Sequence, residues 1–269
     1  MEPVPPGIDP TKAHPSRRYN YWLGGKDNFA VDRESADMVA SGFPTVALAA
    51  RENRRFMARA VRYLARDAGI SQFLDIGTGL PSAGNVHEVA QSIDPASRIV
   101  YVDNDPVVLV HARALLTSAP EGRTAYIDAD LRDPEKILAA PELAATLDPS
   151  RPVALMLVAI MHFITDDEDP YGLVARLVDA LPAGSHVVIT HATGDYLTSE
   201  QHAEADETNR LSGVPFRLRT REEFARFFDG LDLVDPGVTS VVDWRPDLPP
   251  ENRPRVEDVS MYCGAARIA

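Results

Sequence analysis

Short, β-branched apolar segments alternate with helical patterns through most of the chain after residue 71, and this alternation constrains the fold more than any other feature. The apolar segments are residues 73–76, 98–102, 124–127, 153–159 and 186–190. The helical patterns between them are residues 86–93, 106–116, 135–147 and 171–181. Strands that alternate with helices are typical of βαβ units around a parallel sheet. The sequence therefore predicts an α/β fold.

The end of the chain breaks this alternation. Residues 231–244 and 258–268 are predicted to be two final strands with no helix between them, so we expect them to pair antiparallel and to give the sheet a mixed edge. A polar helical pattern at residues 200–211 has no strand before the next helix and indicates an insertion. Thr220 and Glu223 have the spacing of a capping box at the start of that next helix.

The N-terminal part is predicted to be a helical extension. Residues 1–16 are rich in proline and are expected to be extended, with order beginning near Arg17. Two helices are predicted between residues 31 and 68, ending before Gly69. Arginines on one face of the second helix are predicted to form a solvated surface: Arg51, Arg54, Arg55, Arg59, Arg62 and Arg66. Residues 1–70 would cover a site on a core formed by residues 71–269, as one structural unit.

Composition excludes several classes of protein. No apolar run in the 269 residues is long enough to cross a bilayer, and the start of the chain does not resemble a secretory signal. The lone Cys263 excludes a disulfide framework or a cysteine-built metal site, so we expect a cytoplasmic protein. The net charge of -13 disfavours binding to nucleic acid or anionic membranes. Small-molecule or protein acceptors are favoured.

A strand that ends in an acid and a glycine turn is the strongest functional motif. Asp75 is followed by Gly77 and Gly79, whose backbone can approach a ligand closely. A dinucleotide fingerprint would have a third glycine or an alanine at Ser82, and an acid at position 75 would repel a pyrophosphate. The acid suits a cationic group, such as a methionyl amino group. The following helix is predicted to begin at Asn85, with its side chain as the cap.

Acids also end the next two strands. Asp103 is placed to accept hydrogen bonds from both hydroxyls of an adenosyl ribose, and Asn104 beside it is a further predicted contact. Asp105 precedes a proline and is predicted to open the next helix. After the third strand, Asp130 is predicted to accept from an adenine amino group while Leu131 packs on the ring. Each acid alone is more often a helix cap, but three at successive strand ends indicate a site.

These motifs resemble those of class I S-adenosylmethionine-dependent methyltransferases. More narrowly, residues 19–29 (YNYWLGGKDNF), 75–81 (DIGTGLP) and 101–106 (YVDNDP) resemble the actinobacterial S-adenosyl methyltransferase family once filed as a domain of unknown function. The resemblance covers nearly the whole chain. It implies a Rossmann-like sheet of seven strands in the order 3-2-1-4-5-7-6 with helices on both faces, and S-adenosylmethionine contacts at Asp75, Gly77, Asp103 and Asp130. It implies no particular acceptor.

The aromatic N-terminal motif has two interpretations. Tyr19, Tyr21 and Trp22 lie beside the flexible pair Gly24 and Gly25. They could form a lid whose ring faces attract the sulfonium cation, which makes Tyr19 and Tyr21 predicted cofactor contacts. Alternatively, they form a hydrophobic clamp that fixes the extension to the core.

Three residues are candidates for the catalytic step. His162 follows the fourth strand in a segment that resembles the His-x-Trp-x-Asp region of small-molecule O-methyltransferases, and the acids after it are expected to orient it as a general base. His191 and Asp195, after the fifth strand, form a second candidate pair. A histidine at a strand end is more often structural. The remaining histidines have no ligand spacing, and no metal site is predicted.

The sequence therefore predicts an S-adenosylmethionine-dependent methyltransferase with a small-molecule acceptor. A non-catalytic S-adenosylmethionine-binding or regulatory protein is the alternative of a different kind, although the chain carries both cofactor acids and polar residues on the acceptor side. A nicotinamide-dependent oxidoreductase is disfavoured by Asp75 and by the missing third glycine.

Overall fold

The computed structural model describes residues 8–115 and 118–269, and it confirms the α/β fold. Eight strands form one sheet: β1 (Gln72–Ile76), β2 (Arg98–Asp103), β3 (Arg123–Asp128), β4 (Ala154–Leu157), β5 (His186–Ala192), β6 (Asp232–Leu233), β7 (Thr239–Ser240) and β8 (Met261–Arg267). The helices are α1 (Pro15–Trp22), α2 (Ala30–Gly42), α3 (Val46–Arg66), α4 (Val86–Gln91), α5 (Pro106–Leu115), α6 (Pro134–Leu138), α7 (Pro141–Thr146), α8 (Pro170–Asp179), α9 (Ser199–Ser212), α10 (Arg221–Ala225) and α11 (Val256–Val259).

The strand order of the sheet is β3-β2-β1-β4-β5-β8-β6. Strands β1 to β5 pair in parallel, and β8 runs antiparallel to both β5 and β6. The predicted order and the antiparallel last strand are therefore confirmed. Because β1 to β5 are parallel, their carboxyl ends all lie at one edge of the sheet.

The predicted strand at residues 231–244 is wrong in its continuity. The structure has two short strands there, β6 and β7, and both pair with β8. Between them the N–H of Gly237 donates to the carbonyl of Val234 at 2.8 Å in a turn. Pro236 within this turn has no N–H to donate to a ladder, so the pairing with β8 is interrupted. The sheet therefore has eight strands instead of the predicted seven.

The helices differ from the prediction at prolines and at the start of the chain. A proline disfavours helical backbone in its predecessor, and Ala140 before Pro141 is extended, so the predicted helix at 135–147 becomes α6 and α7. Between residue 8 and β1 there are three helices, not two, and the first begins at Pro15, two residues before Arg17. The predicted extended segment 1–16 includes residues 1–7, and the predicted helix 106–116 includes Leu116. Residues 1–7 and Leu116 lie outside the described residues.

Helix caps agree with the sequence at two of three positions. The hydroxyl of Thr220 accepts from the N–H of Glu223 at 3.2 Å, as the capping box predicts. The carboxylate of Asp105 accepts from the N–H of Val107 at 3.0 Å and opens α5. Asn85 precedes α4, but its side chain does not cap this helix. Its carboxamide oxygen instead accepts from Ser82, 3.3 Å away, so it is used within the glycine loop.

Consecutive residues of β1 point to opposite faces of the sheet and into two cores. Phe73 packs with Phe56 and Leu64 of α3 on one face. Leu74 packs on the other face with residues that include Leu177 of α8. All five of these side chains are at most 1% exposed. The two cores hold the parallel strands in place, and this fixes the edge at which the acids of the β1, β2 and β3 ends meet.

The arginine face predicted for α3 is only partly exposed. Arg51, Arg55 and Arg66 are exposed as expected, but Arg59 is buried. Its guanidinium donates to the backbone carbonyls of Trp244 at 3.0 Å and of Val241 at 2.5 Å. Arg59 therefore ties α3 to the segment before β8, a contact that the helical spacing alone does not reveal.

The buried arginine gives a test of this packing. Replacing it, as Arg59→Met, leaves the carbonyls of Val241 and Trp244 buried without donors, and we expect the free energy of unfolding to fall by about 2–4 kcal/mol. Urea unfolding measures this change. The matched variant Arg51→Met, at an exposed position of the same helix, should change stability by less than about 0.5 kcal/mol. Equal effects of the two variants would contradict a structural role for Arg59.

Candidate functional site

A cavity of about 440 Å³ lies at the carboxyl edge of the parallel strands. Its floor comes from the segments that follow β1, β2, β3 and β4, and its walls come from α1, α3 and the residues around α9. A cleft at this edge is the usual ligand site of an open parallel sheet. Nine of the twelve predicted site residues line it: Tyr19, Asp75, Gly77, Gly79, Asp103, Asn104, Asp130, Leu131 and His162. Tyr21, His191 and Asp195 do not.

Asp75 is a carboxyl group buried at the cavity wall. It is only 6% exposed, and this burial raises its pKa to about 7 although the nearby charge of Arg54 opposes the shift. Low-dielectric surroundings disfavour the charged carboxylate, and a cationic ligand would favour it. The observed burial therefore fits a positively charged group and does not fit a pyrophosphate.

The glycine turn follows Asp75 directly. Gly77 has φ +75° and Gly79 has φ +67°, which are backbone conformations that residues with side chains rarely adopt. A Cβ on Gly77 would also collide with the side chain of Ile160, which follows β4. The turn is thus kept close to the neighbouring strand end, and its backbone lines the cavity.

Asp103 joins the glycine turn to the end of β2. One carboxylate oxygen accepts from the N–H of Gly79 at 2.8 Å, and the other accepts from the N–H of Asp105 at 2.9 Å. Burial raises the pKa of Asp103, and these two donors act in the opposite direction. Each oxygen retains a lone pair for a further donor, so the carboxylate can still accept from two hydroxyl groups.

Asp130 and its neighbours form the end of the cavity that follows the carboxyl end of β3. The amide of Asn104 donates to Asp130 at 2.7 Å, and the backbone N–H of Arg132 donates to the other oxygen at 2.9 Å. Leu131 is 3% exposed and lines the same end. A carboxylate beside an apolar side chain can accept a hydrogen bond from the amino group of a flat ring while the ring packs on the leucine.

Helix α1 is anchored beside the β2 end through Asp105. The hydroxyl of Ser16 donates to Asp105 at 2.9 Å, and Arg17 and His14 lie 3.2 and 3.1 Å from the same oxygen. Burial raises the pKa of Asp105, but His14, the N–H of Val107 and the charge of Arg17 together outweigh it, and the net pKa is lowered. Ser16 and His14 also line the cavity. The N-terminal segment is therefore part of the site wall.

The aromatic side chains of the N-terminal motif point in different directions from α1. The Tyr19 hydroxyl donates to the Ala50 carbonyl at 2.9 Å, and this side chain lines the cavity, as does Trp22. Tyr21 points away, and its hydroxyl donates to Asp37 on α2 at 3.1 Å. Tyr21 does not line the cavity with Tyr19, because helical residues two positions apart do not share one face.

His162 lies in a 3₁₀ turn, Met161–Phe163, after β4 and lines the cavity. Its ring packs against Phe163 and Phe216, with ring centroids 4.4 and 4.8 Å away. Burial, assisted by the positive charges nearby, lowers its pKa well below 6.5, so the ring is neutral at pH 7. Aromatic packing orients this ring.

The acids that follow His162 have other partners. Asp166 pairs with Arg217 at 3.0 Å and with Arg219 at 2.7 Å, and Glu168 pairs with Arg132. None of them is hydrogen-bonded to His162. The expectation that these acids orient His162 is therefore wrong.

The second predicted catalytic pair does not line the cavity. His191 is fully buried; one ring nitrogen contacts its neighbour's carbonyl, that of Ala192, at 2.7 Å, and the other contacts Arg219 at 2.8 Å. Burial lowers the pKa of His191 to about 3. Asp195 accepts from the hydroxyl of Tyr262 at 2.9 Å and from the N–H of Arg221 at 2.8 Å. Both ring nitrogens of His191 have protein partners, whereas Asp195 is exposed and uses one carboxylate oxygen for both contacts.

Arg219 organises the loop that carries His162, and sequence analysis missed it. Its guanidinium donates to the carbonyls of Met161 at 3.2 Å and of Ile164 at 3.0 Å, on both sides of His162. This arginine is 1% exposed. The chain around it shows no signal other than the adjoining capping box at Thr220.

Polar residues of α3 and α1 also line the cavity without a motif to reveal them. The Asn53 amide donates to the Tyr19 hydroxyl at 3.0 Å, and its buried carboxamide oxygen has no partner among the described residues. Arg54 donates to the Ala83 carbonyl of the glycine loop at 3.1 Å. Arg18 brings a second guanidinium to the cavity. These side chains extend the site beyond the strand ends.

Two features are absent from residues 8–115 and 118–269, the part of the chain that the structure describes. Within these residues, no group of three or more His, Cys, Asp or Glu side chains is arranged to hold a metal ion. No described helix is both long enough and apolar enough to cross a membrane.

Solved structures and family comparisons agree with this geometry. A DUF574 family protein from Streptomyces avermitilis is 46% identical over 96% of this chain and 98% of its own, with a TM-score of 0.92. A protein from Thermobifida fusca, provisionally described as a methyltransferase, is 42% identical over 100% of this chain and 99% of its own, with a TM-score of 0.90. Both come from actinobacteria.

More distant structures support the fold alone. An O-methyltransferase family protein from Burkholderia thailandensis is 15% identical over 89% of this chain and 60% of its own, with a TM-score of 0.55. No curated protein matches the chain. A family model described as S-adenosyl methyltransferase matches residues 1–269, which confirms the resemblance seen in the motifs. The chain belongs to the S-adenosyl methyltransferase family.

Proposed function

We propose that this protein transfers a methyl group from S-adenosylmethionine to a small-molecule acceptor held in the same cavity. The observation that carries the proposal is the buried Asp75 beside a glycine turn, with Asp103 and Asp130 along the same floor of the cavity. Family membership supports the use of S-adenosylmethionine. When bound, S-adenosylmethionine supplies an activated methyl group.

Under this proposal, different residues of the cavity would bind the methionyl, ribose and adenine parts of the cofactor. The Asp75 carboxylate and the unpartnered oxygen of Asn53 would accept from the methionyl amino group. Arg54, beside them, would pair with the methionyl carboxylate. Asp103 would accept from the ribose hydroxyls, and Asp130 from the adenine amino group. Each assignment matches a donor with an acceptor of suitable charge.

The apolar lining of the other half of the cavity supports a small acceptor. Its walls come from α1, the end of α2, the start of α3 and the segments around α9; they include Trp22, Phe43, Val46, Leu197, Val214 and Phe216. Concave apolar pockets with a few polar groups are typical of small-molecule sites. Residues of this half would position the acceptor and exclude water, which are the main contributions a protein makes to a displacement of this kind.

His162 is the proposed base on the acceptor side, because it lines the cavity and its ring is neutral at pH 7. A neutral ring nitrogen can accept a hydrogen bond from a hydroxyl or amino group and orient it. The burial that keeps the ring neutral also weakens it as a base, so it would take a proton only when the acceptor atom has become strongly acidic. Trp22 and Tyr19 would close over the ligands from α1.

Cofactor choice is tested by calorimetry. We expect S-adenosylmethionine and S-adenosylhomocysteine to bind, and NAD and NADP not to bind at similar concentrations. Asp103→Ala should raise the dissociation constant at least about tenfold, because two charge-assisted hydrogen bonds are lost. The control Asp67→Ala, at the exposed end of α3, should bind normally. Tighter binding of NAD, or an unchanged constant in folded Asp103→Ala, would refute the assignment.

The raised pKa of Asp75 predicts a pH dependence. With a pKa of about 7 in the cofactor-free protein, most Asp75 carboxyl groups carry a proton at about pH 6. A cationic amino group favours the ionised carboxylate, so binding must release that proton. The dissociation constant should therefore rise as the pH falls below 7, by up to about tenfold per unit.

Calorimetry from about pH 6 to pH 8, in buffers that differ in ionisation enthalpy, measures both affinity and proton release. Asp75→Asn cannot ionise, so its profile should be flat and its affinity at pH 8 should be lower than that of the native protein. Asp67→Asn should keep the native profile. A slope that persists in Asp75→Asn would assign the titration to another group, with Asp103 the first to examine.

The role of His162 is tested by His162→Gln. If His162 accepts from the methyl acceptor, turnover should fall by about a hundredfold while the affinity for S-adenosylmethionine stays unchanged. The acidic limb of the native pH–rate profile should lie below pH 6.5, because the pKa is lowered, and should vanish in the variant. Loss of thermal stability with a retained acidic limb would show that His162 is structural.

A further inference from the structure

Arg18 is a buried cation at the cavity wall with few protein partners. Its side chain is 3% exposed and lines the cavity. One terminal nitrogen, Nη1, donates to the hydroxyl of Ser35 at a long 3.3 Å. Nε is buried and has no hydrogen-bond partner among the described residues. Nη2 also forms no hydrogen bond with any of the described residues.

The neighbouring acid does not neutralise this charge. The charge of Asp32 acts favourably on Arg18, but the Asp32 oxygens accept from the N–H groups of His14 at 2.9 Å and Phe29 at 2.8 Å. Arg17, the preceding residue, takes the ion pairs with Asp32 at 3.6 Å and with Asp105 at 3.2 Å. Arg18 forms no ion pair with any carboxylate of the described residues.

The guanidinium remains charged in spite of this. Burial lowers the pKa of Arg18 to about 10, which is still far above neutral pH. A buried charge without a counter-ion is costly, and such groups are normally paired. The ring of Trp22, 5.8 Å from the guanidinium carbon, compensates only part of the cost. A ligand with a negative charge would supply the missing partner.

Arg18 faces the acceptor half of the cavity. Its charge acts on His162, which it helps to hold neutral. Its partner Ser35 donates in turn to the carbonyl of Ser212 at the end of α9, the helix inserted after β5. The guanidinium next to Asp75 is that of Arg54, so the methionyl carboxylate of the cofactor has a separate candidate partner.

We propose that the methyl acceptor carries a carboxylate, bound by Arg18, on an apolar or aromatic body. Nη2 has no hydrogen-bond partner among the described residues, and a charged N–H donor of this kind forms a strong, charge-assisted hydrogen bond with a carboxylate oxygen. A phosphate dianion would call for further cations, and the surrounding walls are Trp22, Phe216 and other apolar side chains. This inference rests on the proposed function, because it describes the second substrate of the same cavity.

The experiment compares acids with their primary amides, which have the same shape and no charge. The panel is benzoate, phenylacetate, 3-phenylpropionate and indole-3-acetate, each beside its amide. Dissociation constants are measured by NMR titration of the labelled full-length protein, with and without saturating S-adenosylhomocysteine. We expect at least one acid to bind ten times more tightly than its amide and to shift the Nε–H resonance of Arg18.

Variants then assign the preference. Arg18→Gln should bring the acid-to-amide ratio close to one, and Arg18→Lys should restore part of it. Arg51→Gln, on the exposed face of α3, should leave the ratio unchanged. The affinity for S-adenosylhomocysteine should be the same in all four proteins. Because the Nε–H shift is read in the native protein, the proposal can be tested even if Arg18→Gln does not fold.

Three results would overturn the proposal. Acids and amides that bind equally throughout the panel would show that the cavity does not select a carboxylate. A preference retained in Arg18→Gln would assign it to another residue. A tenfold loss of S-adenosylhomocysteine affinity in Arg18→Gln would show that this guanidinium serves the cofactor. Failure of the native protein to bind S-adenosylhomocysteine would contradict the proposed function instead, and the acid-to-amide ratio without cofactor would still test Arg18.

Discussion

The two hydrogen bonds accepted by the Asp103 carboxylate connect most of the site. They bring the glycine turn after β1 and the start of α5 to one side chain at the end of β2. Asp105, held by the second bond, caps α5 and is the anchor for Ser16 and Arg17 of α1. The position of the N-terminal segment over the cavity therefore depends on the same strand end that would hold the ribose.

Charge is distributed unevenly along the cavity, and burial makes the distribution matter. Acidic groups lie at the ends of β1, β2 and β3, where burial keeps the pKa of Asp75 near 7. The opposite half has the cation of Arg18 and the neutral ring of His162. In low-dielectric surroundings each group strongly favours a ligand of the complementary charge. This distribution is the basis of the two proposals, a cationic amino group beside Asp75 and a carboxylate beside Arg18.

The candidate site was predictable where it depends on strand ends and not where it depends on side-chain direction. Asp75, Asp103 and Asp130 end parallel strands, and such ends must meet at one edge of a sheet. His191 also ends a strand, yet its ring turns into the protein towards Arg219. Tyr21 belongs to the same motif as Tyr19 but lies on another face of α1. Periodicity places a residue on an element; it does not decide which neighbour packs against it.

By itself, the sequence determined the α/β class and the caps at Asp105 and Thr220, because these depend on local propensities of adjacent residues. Its motifs also identified the family, and through that resemblance the strand order. Only the tertiary structure decided that Arg59 is a core residue and that Arg18, next to the paired Arg17, has no ion pair with a carboxylate of residues 8–115 and 118–269. Pairing and burial depend on residues far apart in the chain: Trp244 approaches Arg59, and Ser212 reaches Arg18 through Ser35. Contacts at such separations arise only when the whole chain has folded.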